Sequence, residues 1–405
     1  MFFAKKIYCR IYQKAFHIAI PFMPYREPKH LKQVEEIATL LKKKHIKRVL
    51  IITDKTIREL GLTGRIEKYI NRLGIEYCIY DGTVPNPTID NVEEAREMYI
   101  SNKCQAIIAI GGGSAMDCAK VCGARIVRPN KPVFKMKGLL KILKRLPLLI
   151  AVPTTAGTGS ETTLAAVITD SEKHHKYPIN DFSLIPHYAV LDYRMTLALP
   201  KSITATTGMD ALTHAVEAYI GNSTTANTRK RAEVAVSLIY KYLRRAYDDG
   251  NDRRARGAML RAAYYAGIAF TTSYVGYVHA VAHSLGGQYG TPHGLANAVI
   301  LPIVLREYGE SCEKKLARLA IRSGVVEKKE GMSEHEAATM FIEWIQDMND
   351  YMNIPRKISG IHEEDIDKMA EHADKEANPL YPVPKLMNRQ ELKKIYYLVS
   401  EKGVS

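Results

Sequence analysis

Residues 106–120 read AIIAIGGGSAMDCAK, and this stretch determines how the first half of the chain folds. Its apolar run predicts a buried strand, its three glycines allow a sharp turn, and Ser114 begins a segment with helical spacing. The amino terminus of that helix would offer N–H groups and a positive dipole end to a phosphate. Ser114 and Asp117 also suit helix-capping positions, so the turn alone is as consistent with a capped helix as with a phosphate site.

Four further short apolar runs alternate with amphipathic helical segments. They lie at residues 48–53, 75–80, 148–152 and 188–192. Such alternation is typical of a parallel sheet covered by helices on both faces. After Pro200 the strand-like runs stop and segments with helical spacing follow one another. We therefore predict an α/β domain over residues 1–199 and an all-helical domain over residues 200–405.

Two segments lie outside this alternation. Residues 1–30 are expected to form an extended lead-in, because Pro21, Pro24 and Pro28 favour turns. Residues 131–145, KPVFKMKGLLKILKR, have the spacing of a basic amphipathic helix. We interpret that segment as a solvated helix face rather than a membrane-binding one.

Two more loops follow predicted strands. Residues 152–161, VPTTAGTGSE, carry small and hydroxyl side chains that leave room for a ligand and can hydrogen-bond to it. Asp54 ends another strand, where its carboxylate could accept from ribose hydroxyls or could simply cap the next helix. Open α/β sheets bind nucleotides outside the carboxyl ends of their strands, so these loops and the glycine turn predict a nucleotide site.

Two helical segments of the second half carry paired metal-ligand residues. Residues 276–294, GYVHAVAHSLGGQYGTPHG, contain His279, His283 and His293. Residues 208–219, GMDALTHAVEAY, contain Asp210 and His214. Side chains four apart leave one face of a helix, and carboxylate with imidazole can hold a divalent metal. A lone histidine at this spacing is usually structural, but this concentration predicts a metal site.

Composition limits the classes of function. The chain has 405 residues and a formal charge of +15, but its Lys and Arg are spread along nearly every helical segment, which argues against a nucleic-acid surface. Its six cysteines form no zinc-type pair and are expected to be free thiols. No apolar run approaches the roughly 20 residues of a membrane span, and the amino terminus lacks a signal-peptide core. We expect a cytoplasmic protein that binds neither nucleic acid nor membrane.

The motifs resemble those of the iron-containing (group III) alcohol dehydrogenases, a family that includes lactaldehyde reductase, propanediol dehydrogenase and clostridial butanol dehydrogenases. The resemblance runs from residue 31 to residue 389. It rests on the two histidine-bearing segments and on TDKT (53–56), VPNPT (84–88), GGGSAMDCAK (111–120), PTTAGTGSE (153–161) and ITD (168–170). It implies a dinucleotide-binding α/β domain followed by an all-helical metal-binding domain, the architecture shared with dehydroquinate synthase.

The resemblance also implies roles for individual residues. The metal ligands would be Asp210, His214, His279 and His293, with Fe²⁺ as the metal and Zn²⁺ as the alternative. His283 would lie beside the reacting centre without binding the metal, and Phe270 would line the substrate pocket. Contacts to NAD, with NADP as the alternative, would come from Asp54, Asn86, Gly112, Gly113, Ser114, Asp117, Thr154, Thr155, Thr158, Thr163 and Lys176.

The chain departs from the family in places. Ala165 stands where some diol-active members carry a polar residue, which leaves activity on small diols open. Residues 1–30 lack the usual opening strand motif, and the basic segment 131–145 is not a general family feature.

The resulting hypothesis is an NAD(P)-linked oxidoreductase that interconverts primary alcohols and aldehydes, with the metal polarising the substrate oxygen. His283 could pass the proton, because an imidazole changes charge near neutral pH. A metal-dependent cyclase or lyase of the dehydroquinate synthase type is the alternative. It would need Lys and Arg around an anionic substrate, whereas residues 265–294 are mainly Ala, Gly, Tyr and Val. We expect a small-molecule substrate and a homo-oligomer.

Overall fold

The structure is a computed structural model that describes residues 2–171 and 175–401. The chain forms two compact units. One joins the amino-terminal residues as far as Met23 to the chain from Pro200 onward, and the other is Pro24–Leu199. Helix α1, Phe2–Ala19, therefore belongs to the unit that contains the carboxyl-terminal half.

The expectation of an extended lead-in is wrong for residues 2–22, which form α1 and a short 3₁₀ turn at Ile20–Phe22. These residues group with the carboxyl-terminal unit and not, as expected, with the α/β domain. The turn-forming prolines come only after residue 20, and the preceding residues are free to form a helix. Arg10 ties this helix to the carboxyl-terminal half: its Nη1 donates to Val383 O at 2.7 Å and its Nη2 to Pro384 O at 2.8 Å. Long-range contacts of this kind leave no local sequence pattern.

The α/β unit contains a six-stranded parallel sheet with the order β1-β9-β6-β4-β2-β3 and a smaller sheet with the order β5-β8-β7. The strands are β1 Lys29–Leu31, β2 Arg48–Ile52, β3 Glu76–Tyr80, β4 Ala106–Gly111, β5 Gly138–Leu139, β6 Leu148–Pro153, β7 Ala165–Asp170, β8 His175–Asn180 and β9 Tyr188–Val190. The helices of this unit are α2 Glu35–Lys43, α3 Lys55–Glu59, α4 Gly64–Arg72, α5 Ile89–Ser101 and α6 Gly113–Val127. The predicted parallel sheet is confirmed.

The central strands are apolar throughout because both faces of the sheet are buried. In β2, Leu50 and Ile52 pack into the core on one face, and Val49 and Ile51 pack into the core on the other. Successive side chains of a strand point to opposite faces, so a strand covered on both sides needs a continuous apolar run. This requirement explains why the runs were visible in the sequence.

The basic segment 131–145 is not the amphipathic helix that its spacing predicted. It contains a 3₁₀ turn at Val133–Met136 and the short strand β5. The carboxylate of Asp181 accepts from the backbone N–H groups of Ile142, at 2.8 Å, and Leu143, at 3.0 Å. A buried carboxylate thus supplies the backbone bonds that a helix would have made internally.

The second unit consists of α1 and a set of helices after Pro200. They are α7 Lys201–Ile220, α8 Ala226–Asp248, α9 Arg253–Ser273, α10 Tyr277–Tyr289, α11 His293–Tyr308, α12 Glu310–Arg322, α13 Glu334–Tyr351, α14 Glu363–Ala377 and α15 Arg389–Val399. Every residue of α7 from Gly208 to Ile220 is buried, so this helix lies at the centre of the unit. Among the described helices, none combines the length and apolar character that crossing a membrane would require.

An ion-pair network joins the start of α2 to the residues that follow β9. Arg194 Nη2 donates to Glu35 Oε2 at 2.6 Å and Arg194 Nε donates to Asp192 Oδ1 at 2.8 Å. Asp192 Oδ2 in turn accepts from Val34 N at 3.1 Å. Burial alone would raise the pKa of Glu35, but hydrogen bonds from Arg194 and Arg65 lower it to about 2.

Arg194→Met should therefore destabilise the protein by about 1–3 kcal/mol at pH 7, because it leaves Asp192 buried without its cation. Glu35 stabilises the folded protein only as an anion. Its contribution to the free energy of unfolding is therefore fully present above its unfolded pKa and is lost as pH falls through its folded pKa. In urea unfolding, the difference between wild type and variant should shrink from about pH 4.5 towards pH 2. Arg48→Met, which removes an exposed ion pair with Glu76, is the control and should cost less than about 1 kcal/mol. Equal losses in the two variants would contradict this account.

Candidate active site

Four potential metal ligands of α7, α10 and α11 come together. One ligand atom from each of Asp210, His214, His279 and His293 lies within 4.8 Å of the other three. The first three side chains are buried and His293 is partly exposed. His293 Nε2 lies 3.5 Å from Asp210 Oδ1. The structure thus brings together all four residues that the sequence proposed as ligands.

The helices approach one another closely at this point. Asp210 and His214 share a face of α7, while His293 begins α11 directly after Pro292. A Cβ on Gly294 would lie 2.6 Å from Thr206 O of α7, so only glycine permits this approach of α11. The turn between α10 and α11 therefore returns the chain with its third histidine against α7.

Glu217 of α7 determines the state of His279. Its Oε2 lies 2.6 Å from His279 Nδ1, and its two oxygens also accept from Gly276 N at 2.9 Å and Val278 N at 2.8 Å. Burial raises the pKa of Glu217 to about 8, an effect that the backbone N–H groups of Gly276, Val278 and His279 oppose. Burial also lowers the pKa of His279 well below its ordinary value, as do the neighbouring imidazoles. Both Glu217 oxygens already accept from backbone N–H groups, so the short contact is made by the Nδ1–H of His279, and the lone pair of Nε2 faces the other ligands.

Asn297 of α11 is a polar residue of this site that the sequence analysis missed. It is fully buried, and its Nδ2 donates to Asp210 Oδ1 at 2.7 Å. The same Nδ2 lies 3.2 Å from His279 Nε2 and 3.1 Å from His293 Nε2. Its position four residues after His293, on the same helix face, is the signal that could have identified it.

The donor set fits a divalent metal. Three neutral imidazoles and one carboxylate leave a bound divalent ion with a net positive charge, and imidazole and carboxylate are common ligands of both Fe²⁺ and Zn²⁺. The Glu217–His279 contact also matches the arrangement in which a carboxylate orients a metal-binding imidazole.

His283 lies beside the four-residue cluster and not within it. Its ring stacks on that of His293 with 5.2 Å between centroids, and its Nδ1 lies 2.6 Å from Glu376 Oε1. Burial would raise the pKa of Glu376, but the charge and hydrogen bond of His283 lower it below its ordinary value. Phe270 stacks on His214 with 4.2 Å between centroids. Both residues therefore border the cluster.

In the α/β unit, the glycine turn between β4 and α6 forms a cradle at a helix amino terminus. Gly111 has φ 154°, and a Cβ there would lie 2.7 Å from Ala115 Cβ, so this position requires glycine. Gly112 precedes α6 and no side-chain hydrogen bond caps that helix. The alternative in which Ser114 and Asp117 merely cap the helix is therefore wrong. The first N–H groups of α6 suit a phosphate.

The hydroxyl-rich loop lies against this turn. Thr154 N donates to Gly111 O at 3.0 Å. Thr155 Oγ1 and Thr158 Cγ2 lie 3.5 Å and 3.1 Å from the positions where Cβ atoms on Gly112 and Gly113 would be. Larger residues in the turn would close the cradle. The residues after β4 and β6 thus lie against each other, and their binding of a nucleotide stays a prediction.

Asn86 joins the same surface from another loop. Its backbone N donates to Ser114 Oγ at 3.3 Å, and its Oδ1 accepts from Lys176 Nζ at 2.7 Å. Its φ of 59° is a left-handed backbone conformation that asparagine tolerates better than most residues. Asn86, Ser114 and Lys176, all predicted cofactor contacts, therefore lie together.

Two other predicted contacts bond to residues of the fold. Asp117 accepts from Ser160 Oγ and from Val167 N, both at 2.9 Å. The fully buried Lys120 donates to Ser160 Oγ at 2.8 Å and to Thr163 Oγ1 at 2.9 Å. Burial lowers the pKa of Lys120 to about 8. Asp117 and Thr163 therefore fix the loop that carries the threonines, and their direct contact with a cofactor stays a prediction.

The two carboxylate oxygens of Asp54 have different surroundings. Its Oδ1 accepts from Ile57 N at 2.9 Å and so caps α3. Its Oδ2 lies 3.5 Å from the position that a Cβ on Gly111 would take. One oxygen is thus used by the fold while the other faces the glycine turn.

Comparison with known proteins agrees with this geometry. The pattern described as iron-containing alcohol dehydrogenase matches residues 30–193, and the pattern of the Fe-containing alcohol dehydrogenase family, C-terminal, matches residues 204–399. The chain belongs to the iron-containing alcohol dehydrogenase family. It is 39% identical over 342 residues to alcohol dehydrogenase 4 of Saccharomyces cerevisiae, covering 84% of this chain and 88% of that protein.

Two other relatives are similar over most of the chain. The NAD-dependent methanol dehydrogenase of Bacillus methanolicus is 36% identical over 342 residues, which cover 84% of this chain and 89% of the relative. The crystal structure of a 1,3-propanediol oxidoreductase superposes with a TM-score of 0.88 at 35% identity, covering 93% of this chain and 99% of that one.

The family membership decides between the two reaction classes. The protein is an iron-type alcohol dehydrogenase that interconverts alcohols and aldehydes, and the cyclase or lyase alternative is not supported. The predicted two-domain architecture is confirmed by the relatives' structures. The predicted metal and NAD cofactors agree with the family and with the donor set of the helical unit.

His279→Ala should lose most of the bound metal and of the activity, because it removes one ligand and leaves the carboxyl of Glu217 without its imidazole partner. Metal content can be measured by mass spectrometry after loading with Fe²⁺ or Zn²⁺ and desalting. His335→Ala is the matched control, because His335 makes a similar bond to Glu313, at 3.0 Å, on an exposed surface. A His279→Ala protein with stoichiometric metal would contradict the assignment.

Proposed function

We propose that this alcohol dehydrogenase holds a divalent metal, Fe²⁺ or Zn²⁺, through Asp210, His214, His279 and His293. The convergence of these four ligand atoms within 4.8 Å is the observation that carries the proposal. A metal bound there would polarise the substrate oxygen, and a bound NAD would carry the hydride.

The protein's own groups hold this site in a fixed arrangement. Glu217 keeps the proton of His279 on Nδ1, so that Nε2 can act as a ligand without prior deprotonation. Asn297 donates to Asp210 and keeps the carboxylate turned towards the histidines. Little reorganisation of side chains is then required when substrate binds.

We assign proton transfer to His283. Its side chain is about one-third exposed, so it has access to solvent. Its stacking on His293 places it beside a proposed ligand, while its Nδ1 is occupied by Glu376. A carboxylate can only accept, so the proton lies on Nδ1 and the lone pair of Nε2 is the one that can exchange a proton with substrate or water.

The dinucleotide would bind the α/β unit. Gly112, Gly113 and Ser114 present the amino terminus of α6 to its phosphates. Thr154, Thr155, Thr158 and Lys176 supply hydroxyl and ammonium donors around that turn, and Asn86 supplies an amide. The second carboxylate oxygen of Asp54 would accept from the adenosine ribose.

We propose short primary alcohols and aldehydes as substrates, because the relatives are named for methanol and 1,3-propanediol. Phe270, stacked on His214, would form an apolar wall of the pocket. Phe270 offers no polar group to a second hydroxyl, so we expect simple aldehydes to be reduced better than hydroxylated ones. NADH oxidation by anaerobically Fe²⁺-loaded protein with short aldehydes tests this. Absence of turnover with every aldehyde and with both nucleotides would contradict the proposal.

We further propose that the protein acts in the cytoplasm as a homo-oligomer. The cysteines of the chain are free, as expected in a reducing compartment. Sedimentation analysis of the purified protein would measure its oligomeric state, and a monomer at micromolar concentration would contradict that part of the proposal.

His283→Ala should lower kcat by about a hundredfold, the usual effect of losing a general acid or base, with metal content near that of wild type. His372→Ala, on the exposed surface of α14, is the control and should retain wild-type kcat. Loss of metal equal to that in His279→Ala would instead place His283 among the ligands.

Asp54 should determine the preference for NAD over NADP, since the 2′-phosphate of NADP would meet a carboxylate. Lys55 follows directly and weakens this repulsion, so we expect a preference and not exclusion. Asp54→Gly should raise kcat/KM for NADPH relative to NADH, although the lost cap costs a few tenths of a kcal/mol of stability. Asp54→Asn separates the effects, because asparagine can still cap α3 but carries no charge. A ratio that neither substitution changes would leave Asp54 with its capping role alone.

A further inference from the structure

The amino-terminal helix α1 reaches the surroundings of His283 through a short series of contacts. The family patterns match residues 30–193 and 204–399, so α1 lies before the matched residues. All of the contacts belong to the unit that contains both α1 and the metal cluster. Their consequence for catalysis rests on the role proposed above for His283.

The contacts begin with Gln13, which is buried with 3% of its surface exposed. Its Nε2 donates to Tyr381 O at 2.7 Å and lies 3.4 Å from Pro379 O. Its Oε1 accepts from Arg10 Nη1 at 2.7 Å. The guanidinium of Arg10 also donates to two backbone carbonyls further along the segment, at Val383 and Pro384. Two side chains of α1 thus hold the backbone of residues 379–384.

Tyr381, whose backbone is held in this way, in turn restrains Glu376. Its hydroxyl donates to Glu376 Oε1 at 2.7 Å, and its side chain is buried. The same Oε1 lies 2.6 Å from His283 Nδ1. A carboxylate oxygen held by two donors has little freedom to rotate away from either. The position of the Tyr381 hydroxyl therefore affects where the imidazole lies.

Aromatic packing provides a second contact between α1 and this region. The ring of Phe16 meets that of Tyr274 edge to face, with 5.0 Å between centroids, and Tyr274 lies 6.2 Å from the ring of Tyr381. Tyr274 N donates to Phe270 O at 2.7 Å at the end of α9. Helix α1 thus also packs against Tyr274, which lies four residues after Phe270, the proposed pocket wall.

We propose that α1 positions His283 for proton transfer, acting through Tyr381 and Glu376. Glu376 fixes the proton of His283 on Nδ1 and orients the ring, and Tyr381 fixes Glu376. Gln13 and Arg10 hold the backbone that carries Tyr381. Gln13, Tyr381 and Glu376 are positioning residues, because none of them touches the four-residue cluster in the contacts described above.

The first test is kinetic and uses the full chain loaded with Fe²⁺. Tyr381→Phe removes one hydroxyl while keeping the ring, and kcat should fall about three- to tenfold with KM for aldehyde changed less than about twofold. Gln13→Leu should lower kcat by about two- to fivefold by the same route. Glu376→Ala should lower it further, and Glu376→Gln, which keeps an acceptor oxygen, should recover part of that loss.

Tyr351→Phe is the matched control, because Tyr351 donates to the carboxylate of Asp248 at 2.9 Å on an exposed surface of the same unit. Its kcat should equal that of wild type. Bound metal should stay stoichiometric in every variant, which separates a shift of His283 from damage to the ligands.

The second test observes the imidazole directly. In Zn²⁺-loaded protein labelled with ¹⁵N-histidine, hydrogen-bonded Nδ1–H protons of His283 and His279 should resonate downfield. His283→Gln assigns the first of them. Tyr381→Phe and Gln13→Leu should shift or broaden the His283 resonance and leave that of His279, which is held by Glu217, unchanged.

The outcomes distinguish this inference from the proposed function. If His283→Ala lowers kcat but Tyr381→Phe and Gln13→Leu change neither kcat nor the resonance, the positioning role of α1 is wrong and the role of His283 stands. If His283→Ala retains wild-type kcat, the proton-transfer role is wrong, whatever the resonance shows. If Tyr381→Phe changes kcat and the resonance but Gln13→Leu changes neither, Tyr381 and Glu376 position His283 and the role of α1 is wrong. Arg10→Met, which removes the bonds to Val383 and Pro384, is the second variant of α1 if Gln13→Leu unfolds the helix.

Discussion

The site of the helical unit depends on the hydrogen bonds that the carboxylate of Glu217 accepts. It accepts from two backbone N–H groups at the start of α10, Gly276 and Val278, and from the imidazole of His279. The first turn of a helix has N–H groups without partners inside the helix, and a carboxylate from α7 satisfies two of them here. One buried side chain therefore caps α10, joins it to α7 and selects the tautomer of a proposed ligand. The arrangement of the ligands follows from the way the two helices are joined.

The amino terminus of α6 in the α/β unit differs, because no side-chain hydrogen bond caps it. Gly112 supplies no side chain to cap it, and Asp117, which had suited the capping box, bonds instead to Ser160 and Val167. The unpaired N–H groups are a cost in the absence of ligand, because they must be solvated by water. The same uncapped N–H groups can bind an anion. The same physical feature thus completes the fold at α10 and leaves a binding site at α6.

Features set by neighbouring residues could be predicted from the sequence. The apolar runs gave the strands of the parallel sheet because each is buried on both faces. The spacing of four between Asp210 and His214, and between His279 and His283, identified the helix faces on which these residues lie. Spacing alone could not separate His279, which joins the cluster, from His283, which does not; the resemblance to the family made that distinction.

Contacts between distant residues could not be predicted. Glu376 is 93 residues from His283, and Gln13 is 368 residues from Tyr381, so no local pattern could pair them. The amphipathic spacing of residues 131–145 was misleading for a related reason: Asp181, far along the chain, supplies the backbone bonds that hold a non-helical conformation. Local propensity fails where a buried polar group from elsewhere offers the backbone a better partner.

Buried polar groups of this kind contribute more to fixing the positions of neighbouring residues than to the stability of the fold. Lys120, Glu217 and Gln13 are each almost fully buried, and apolar residues of similar size would avoid the cost of removing their polar atoms from water. Once buried, however, each must keep its partners, because an unsatisfied polar atom in the interior is costly. Lys120 therefore holds the threonine loop, Glu217 holds His279 and Gln13 holds the segment of Tyr381, each with little freedom to move. A site that must place several reactive atoms together gains from this restriction, which apolar packing alone would provide less strictly.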